Sequence, residues 1–250
     1  MIAGQAGWIR TTRLALFVTS GFIRYEGESC PAQLPAWFLF GAIMSNDEVY
    51  NAGLLNRALD PATQPGEIQK FLRAELGVLR NAISEGMRVI DIGCGTGRHL
   101  LLLADRLRLG LGVDYEHSYI VEAVHRATAR QLNFITCDAT AIPLAVEFDL
   151  AICMTNTWGT MSEKISVLRE MRRVAPRQGT RLLSVYSSAS VPSRREWYRR
   201  LEHVVVEETP EYLLSEGGFR SEHFSEARLR SLVGDCVIRP LADIAYVVLF

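Results

Sequence analysis

Lysine is nearly missing from this chain: Lys70 and Lys164 are the only two among 27 basic side chains, and the rest are arginine. This reads as a compositional bias of the source genome before it reads as recognition chemistry. Against 28 acidic residues it leaves a formal net charge of -1. There is therefore no global attraction to a polyanion, and nucleic-acid binding would have to rest on a local patch. Signs of metal binding are missing too. Cys30, Cys94, Cys137, Cys153 and Cys236 are far apart, form no C-x-x-C pair, and are accompanied by no H-E-x-x-H pattern. No metal site is expected, and unpaired thiols point to a reducing, cytoplasmic setting. Finally, no apolar run approaches the roughly eighteen residues of a membrane-spanning helix. No membrane partner is expected.

What is present is ordinary globular composition, 48% hydrophobic and 22% charged over 250 residues. That is enough for one substantial core with appendages. Residues 1–43 stand apart as an atypical N-terminal extension. Its "RLALFVTSGFI" and "LPAWFLFGAIM" stretches are apolar but lack periodicity, caps or a convincing cleavage site. Our expectation is that Met44 is the natural start; a weak signal peptide and a genuine but unusual extension are the alternatives.

From Gly66 onward the pattern becomes regular. Ile68, Leu72, Leu76, Leu79 and Ile83 recur at spacings of four and three, the stripe of an amphipathic helix. Strands are then predicted at Arg88–Gly93, Gly110–Asp114, Leu132–Asp138, Phe148–Asn156 and Thr180–Ser187, with helices at His99–Leu107, Ser118–Arg130 and Ser162–Val174 between them. Such alternation means an α/β fold, a doubly wound and mostly parallel seven-stranded sheet of Rossmann-like type with its last strand antiparallel. After Ser187 the rhythm breaks. "VPSRREWYRRL" suggests a helix, and the following segment two strands turning near Thr209 and Pro210. Alternation resumes with a helix capped by Ser225 and two closing strands. Residues 44–250 thus read as one domain, with 188–223 as an insertion over the sheet edge.

The stretch "VIDIGCGTGRHL" places Gly93, Gly95 and Gly97 between a strand and a helix, where open α/β folds bind ligands at the strands' carboxyl edge. A dinucleotide fingerprint needs G-x-G-x-x-G, and here Arg98 stands where the third glycine belongs, so NAD is disfavoured. No Gly-Lys-Ser/Thr follows, which excludes a phosphate P-loop. "VIDIGCGTG" resembles the first motif of class I S-adenosylmethionine-dependent methyltransferases. The resemblance runs from about Met44 to Phe250, through "GVD", "CDATAIPL", "FDLAICMTNTWG" and "LREMRRVAPRQG". The last departs from the family's usual Pro-Gly-Gly, which should alter a turn and not the site.

The resemblance implies S-adenosylmethionine as cofactor and gives each residue a role. Gly93, Gly95 and Gly97 would let the backbone approach the methionine part, and Asp91 would face its ammonium. Asp114 would accept the ribose hydroxyls, Tyr115 lie against the adenine face, and Asp138 with Ala139 read the adenine edge. Met154 and Tyr50 complete the cofactor set, Tyr50 closing over the methionine end. Each carboxylate also has a plain structural alternative: a strand-end cap for Asp91, a helix N-cap for Asp114, an Asx turn for Asp138. Cys94 reads as a small filler in the loop.

The acceptor is less legible, because methyl transfer is an in-line displacement in which the protein mainly aligns and excludes water. No catalytic residue is assigned. "MTNTWG" lacks the D/N-P-P-Y of amino-methylating nucleic-acid enzymes, and Asn156 and Trp158 there are candidates for the acceptor pocket. The insertion, which the resemblance makes a substrate cover, contributes Trp197, Tyr198, Tyr212 and His223. A small-molecule acceptor is expected. An RNA or protein methyltransferase using the arginine patch of Arg194, Arg195, Arg199 and Arg200 is the alternative, and a non-catalytic cofactor-binding protein on the same fold is the third reading.

Overall fold

A computed structural model describes residues 17–19, 22–24, 52–176 and 179–250. Strands β1 (Phe17–Thr19) and β2 (Phe22–Arg24) form a short antiparallel pair. The remainder of the N-terminal extension, with Met44 and Tyr50, lies outside the described residues.

The alternation expected from the sequence is present. Helices α1 (Ala52–Leu59) and α2 (Gly66–Ala82) lead into β3 (Met87–Ile92), α3 (Arg98–Leu103), β4 (Leu107–Asp114), α4 (His117–Arg126) and β5 (Leu132–Thr136). Next come β6 (Leu150–Cys153), the single-turn α5 (Thr157–Thr160), α6 (Lys164–Val174) and β7 (Thr180–Tyr186). The insertion holds α7 (Val191–Arg200) and β8 (Val205–Glu208), β9 (Tyr212–Ser215) and β10 (Arg220–Glu222); α8 (Glu226–Val233), β11 (Val237–Leu241) and β12 (Ala245–Leu249) close the chain.

The seven-stranded sheet has the order β11-β12-β7-β6-β3-β4-β5. Only β12 runs antiparallel to its neighbours β7 and β11. Pro240 is tolerated in β11 because that strand is at the edge, where a missing N–H costs no central ladder bond. Side chains of β3 alternate between two cores, as period-two geometry requires. Val89 joins Leu79, Leu100, Leu103 and Leu150 on one face, and Ile90 and Ile92 join Trp158, Leu168 and Met171 on the other. A third cluster binds α7 to α2 through Trp197, Tyr198, Phe71 and Tyr186.

Several boundaries differ from expectation. The helix predicted to reach Leu107 ends at Leu103 in a 3-10 turn, Ala104–Arg106, and Leu107 already opens β4 as a buried strand residue. The helix expected to run to Arg130 stops at Arg126, and the Gly110 amide donates to Gln131 O at 2.9 Å as the chain returns to the sheet. The fourth core strand ends at Cys153, not Asn156, because Thr155 and Asn156 adopt left-handed backbone (φ 55° and 58°). The insertion holds a third strand, β10, which Gly217 and Gly218 made hard to see.

Replacing Ile90, fully buried at the centre of the sheet, by alanine should cost about 2 to 5 kcal/mol of stability. Urea denaturation of the two proteins measures it.

Candidate active site

The turns after β3, β4, β5, β6 and β7 lie along one sheet edge, the carboxyl ends of parallel strands. The glycine turn is tied to its neighbour: the amides of Gly93 and Cys94 donate to Val113 O at 2.8 and 3.0 Å, and Gly95 N–H donates to Asp114 Oδ2 at 2.8 Å. Gly93 and Gly95 have φ of +71° and +53°. A Cβ on Gly93 would collide with Thr157, and one on Gly95 would come within 2.7 Å of the Leu55 side chain on α1. The bare backbone is thus required by the protein's own packing as well as by any ligand. Cys94 points the other way, into the sheet, where a Cβ on Gly112 would meet its sulfur at 2.7 Å. Burial, then the charges of Asp91 and Asp114, push its thiol well above the usual range, the behaviour of an inert filler.

Asp114 accepts from Gly95 N–H with one oxygen and from Glu116 N–H with the other, at 3.0 Å. Burial raises its pKa against those two amides. The N-cap of α4 is Glu116, which accepts from Ser118 N–H, so the capping alternative for Asp114 does not hold. Tyr115 beside it is 77% exposed. Asp138 forms the Asx turn to Thr140 N–H at 2.8 Å, and Ala139 packs partly against the core. Met154 is buried with Leu79 and Leu100, so its side chain belongs to the core.

Beneath the loop lies a buried charge cluster that sequence reasoning missed. Glu75 of α2, fully buried, accepts from Thr155 N–H (2.6 Å), Thr155 Oγ1 (2.8 Å), Ser184 Oγ, His99 Nε2 (3.1 Å) and Arg98 Nη1 (3.3 Å). His99 also reaches Asp91 Oδ2 through Nδ1 at 3.4 Å. The second oxygen of Asp91 is buried and has no hydrogen-bond partner among the described residues. Burial pushes the Glu75 carboxyl up, but His99, then Arg98 and Ser184, outweigh it and hold it at about 2. Burial pushes His99 down, but Asp91 and Glu75 hold it up at about 9. The available signal was Glu75 itself, three residues after Leu72 and four before Leu79 on an otherwise apolar stripe.

The acceptor candidates need correction. Trp158 is fully buried, stacked on Phe224 at 5.1 Å with its indole N–H donating to Lys164 O, so it is core and not a pocket wall. Asn156 is spent on structure, donating to Ser221 Oγ and Glu222 O and accepting from Tyr186 N–H. Trp197 and Tyr198 pack inward on α2; Tyr212 lies on the outer small sheet, its hydroxyl donating to Glu207 and its ring under Arg220 at 3.7 Å. His223 is buried with Nδ1 unpartnered. Nor do the four arginines form a platform. Arg194 is fully buried, donating to Ser221 O and Ser190 Oγ, while Arg195 pairs with Glu208 and Arg199 and Arg200 pair with Glu196. A groove of about 910 Å³ between α7 and β8 shares no residue with the glycine turn. Among the described residues no cluster has the make-up of a metal site, and no helix is long and apolar enough to cross a membrane.

A family model described as a methyltransferase domain matches residues 83–220, more than half of the chain. The chain belongs to that family, the S-adenosylmethionine-dependent methyltransferases. The fold is shared by the PH0226 protein of Pyrococcus horikoshii OT3, at 19% identity and TM-score 0.61, covering 77% of this chain and 96% of that one. It is also shared by magnesium protoporphyrin IX methyltransferase (ChlM) of Synechocystis PCC 6803 with bound S-adenosylhomocysteine, at 16% identity, TM-score 0.54 and coverage of 79% and 92%. A DhpI-SAM-HEP complex matches at 15% identity and TM-score 0.57, covering 80% and 92%. No curated protein sequence matches the chain significantly. The residues fit the cofactor: an unpartnered buried carboxylate oxygen on Asp91 suits an ammonium, and Asp114 stands at the next strand end with lone pairs to spare.

If Asp114 takes the ribose hydroxyls, Asp114→Ala should weaken S-adenosylhomocysteine binding by about 1 to 3 kcal/mol; calorimetry reads this, and an unchanged affinity would leave Asp114 a turn former. A second prediction concerns pH. Glu75, lowered from 4.5 to about 2, stabilises the fold above pH 4.5 and loses that contribution as pH falls toward 2. His99, raised from 6.5 to about 9, stabilises fully below pH 6.5 and loses its contribution as pH rises through 9. The gap in thermal midpoint between the wild type and His99→Asn should therefore shrink as pH rises from 6.5 to 9.

Proposed function

We propose that this enzyme methylates a small-molecule acceptor held between the carboxyl edge of the sheet and the cover formed by residues 188–223. The observation that carries the reading is the cover's charge arrangement. Its arginines are buried or matched by glutamates, and Trp197 and Tyr198 of its helix face α2, so it offers no open basic face to a phosphate backbone. The Synechocystis neighbour is named for a small-molecule substrate, magnesium protoporphyrin IX, which supports the same class of acceptor here.

S-adenosylmethionine supplies an electrophilic methyl group on a sulfonium. The chain's part is alignment and exclusion of water. In this reading the glycine turn receives the amino-acid end, with Asp91 against the ammonium. Asp114 takes the ribose hydroxyls, exposed Tyr115 lies on the adenine, and Asp138 with Ala139 meets its edge. Leu55 of α1, already over Gly95, helps to cover the site. A hydroxyl acceptor needs a base. Burial and then Arg194 hold the His223 imidazole below its ordinary pKa, but its Nδ1 is itself buried, so no base is assigned. Four cysteines among the described residues are unpaired, which supports a reducing, cytoplasmic location.

The test is transfer of a labelled methyl group into a cell extract separated into dialysable, RNA and protein fractions. Label in the dialysable fraction is expected. Label confined to RNA or protein would contradict the reading.

A further inference from the structure

Glu75 and His99 are buried next to the glycine turn, with Arg98 half-buried beside them, and only Asp91 links them to the residues assigned to the donor. Their charge is costly to bury, and an apolar cluster of similar size would commonly hold a fold as well. What the charges add here is direction. Glu75 lies on α2, yet its carboxylate receives donors from the start of α3, from Thr155 after β6 and from Ser184 in β7. Thr155, at φ 55°, is in a backbone region that non-glycine residues adopt only when their surroundings impose it. The Glu75 carboxylate accepts from both its amide and its hydroxyl, and Ser184 Oγ meets the amide as well, at 2.7 Å. Asn156 follows in the same left-handed conformation and ties the turn to the cover through Ser221 and Glu222.

The other end of the cluster faces the cofactor. His99 donates to Glu75 through Nε2 and to Asp91 through Nδ1, so the imidazole bridges two carboxylates. One oxygen of Asp91 is fixed by that bridge and the other is left bare in a buried setting. Raised well above its ordinary pKa by these two partners against the effect of burial, His99 carries charge at neutral pH. With Arg98, the two cations then balance the two carboxylates.

We propose that Glu75 and His99 are positioning residues for methyl transfer: one buried pair that aims the Asp91 carboxylate at the donor's ammonium and at the same time sets the Thr155–Asn156 turn at the acceptor edge. The proposal rests on Asp91 meeting the ammonium, as argued above. At metal sites, loss of the partner that orients a ligating side chain costs about tenfold or more in affinity, and the same scale is taken for the carboxylate oriented here.

Two ligands separate positioning from a merely structural role. S-adenosylhomocysteine carries the ammonium and carboxylate, whereas 5′-methylthioadenosine keeps the adenosine and lacks both. Calorimetric titration of the full chain should show Glu75→Gln and His99→Asn losing about tenfold or more toward the first and less than about twofold toward the second. Equal losses for the two ligands, or no loss in a variant that unfolds cooperatively on heating, would overturn the proposal. If Glu75→Gln does not fold, His99→Asn decides; failure of both to fold would also overturn it, by making the cluster a determinant of folding alone. Asp91→Asn is the control. Should it bind S-adenosylhomocysteine normally, Asp91 does not meet the ammonium and the proposal falls with that reading. Should only Asp91→Asn lose affinity, the reading stands and the Glu75–His99 proposal fails.

Discussion

One buried carboxylate organises this protein. Glu75 sits on a helix that precedes the first core strand, yet its two oxygens receive donors from three later parts of the chain. An anion so placed is tolerable only with its partners present, because removing any of them leaves charge or polar groups unpaired in a low dielectric. The positions of α2, α3, the turn after β6 and strand β7 are therefore not independent. They are fixed relative to one point, linked through His99 to Asp91 at the foot of the glycine turn.

The glycine turn shows the same economy. Its residues adopt left-handed backbone, and Gly93 and Gly95 leave no room for a Cβ because Thr157 and Leu55 occupy the space. Thr157 follows the turn that Glu75 holds, and Leu55 comes from α1. The glycine turn and the turn after β6 are thus joined by close packing through Thr157 and by the charge cluster through Glu75 and His99. The cover completes the edge from the other direction. Asn156 reaches β10, and Arg194 in α7 donates to Ser221 of that strand. Arg194 has no carboxylate within salt-bridge distance among the described residues and stacks over Tyr186 at 4.9 Å instead.

Sequence patterns that carry local information were legible. Hydrophobic periodicity marked the sheet and its helices, glycine spacing disfavoured a dinucleotide, and the resemblance of "VIDIGCGTG" to the methyltransferase motif supplied the cofactor, because such patterns are written in neighbouring residues. What depends on long-range packing was not legible. Trp158 and Trp197 look alike as exposed binding candidates and as core, and only tertiary contacts with Phe224 and α2 decide for the core. The arginines of α7 read as a patch because their glutamate partners are either interleaved, as Glu196 is, or distant, as Glu208 is. The left-handed Thr155 and Asn156 are imposed by Glu75, Ser184 and the cover, and no propensity of threonine announces them. Glu75 itself was visible as a charged residue on an apolar stripe, a signal that acquires meaning only once its partners are known.

Methyl transfer by this chain requires that the glycine edge take a sulfonium nucleoside and not a dinucleotide. Calorimetric titration of the full chain with S-adenosylmethionine, S-adenosylhomocysteine and NAD tests this most directly. Saturable binding of the first two at one site, with none of NAD, is the predicted result. NAD binding, or a cooperatively folded protein that binds neither S-adenosyl compound, would contradict it.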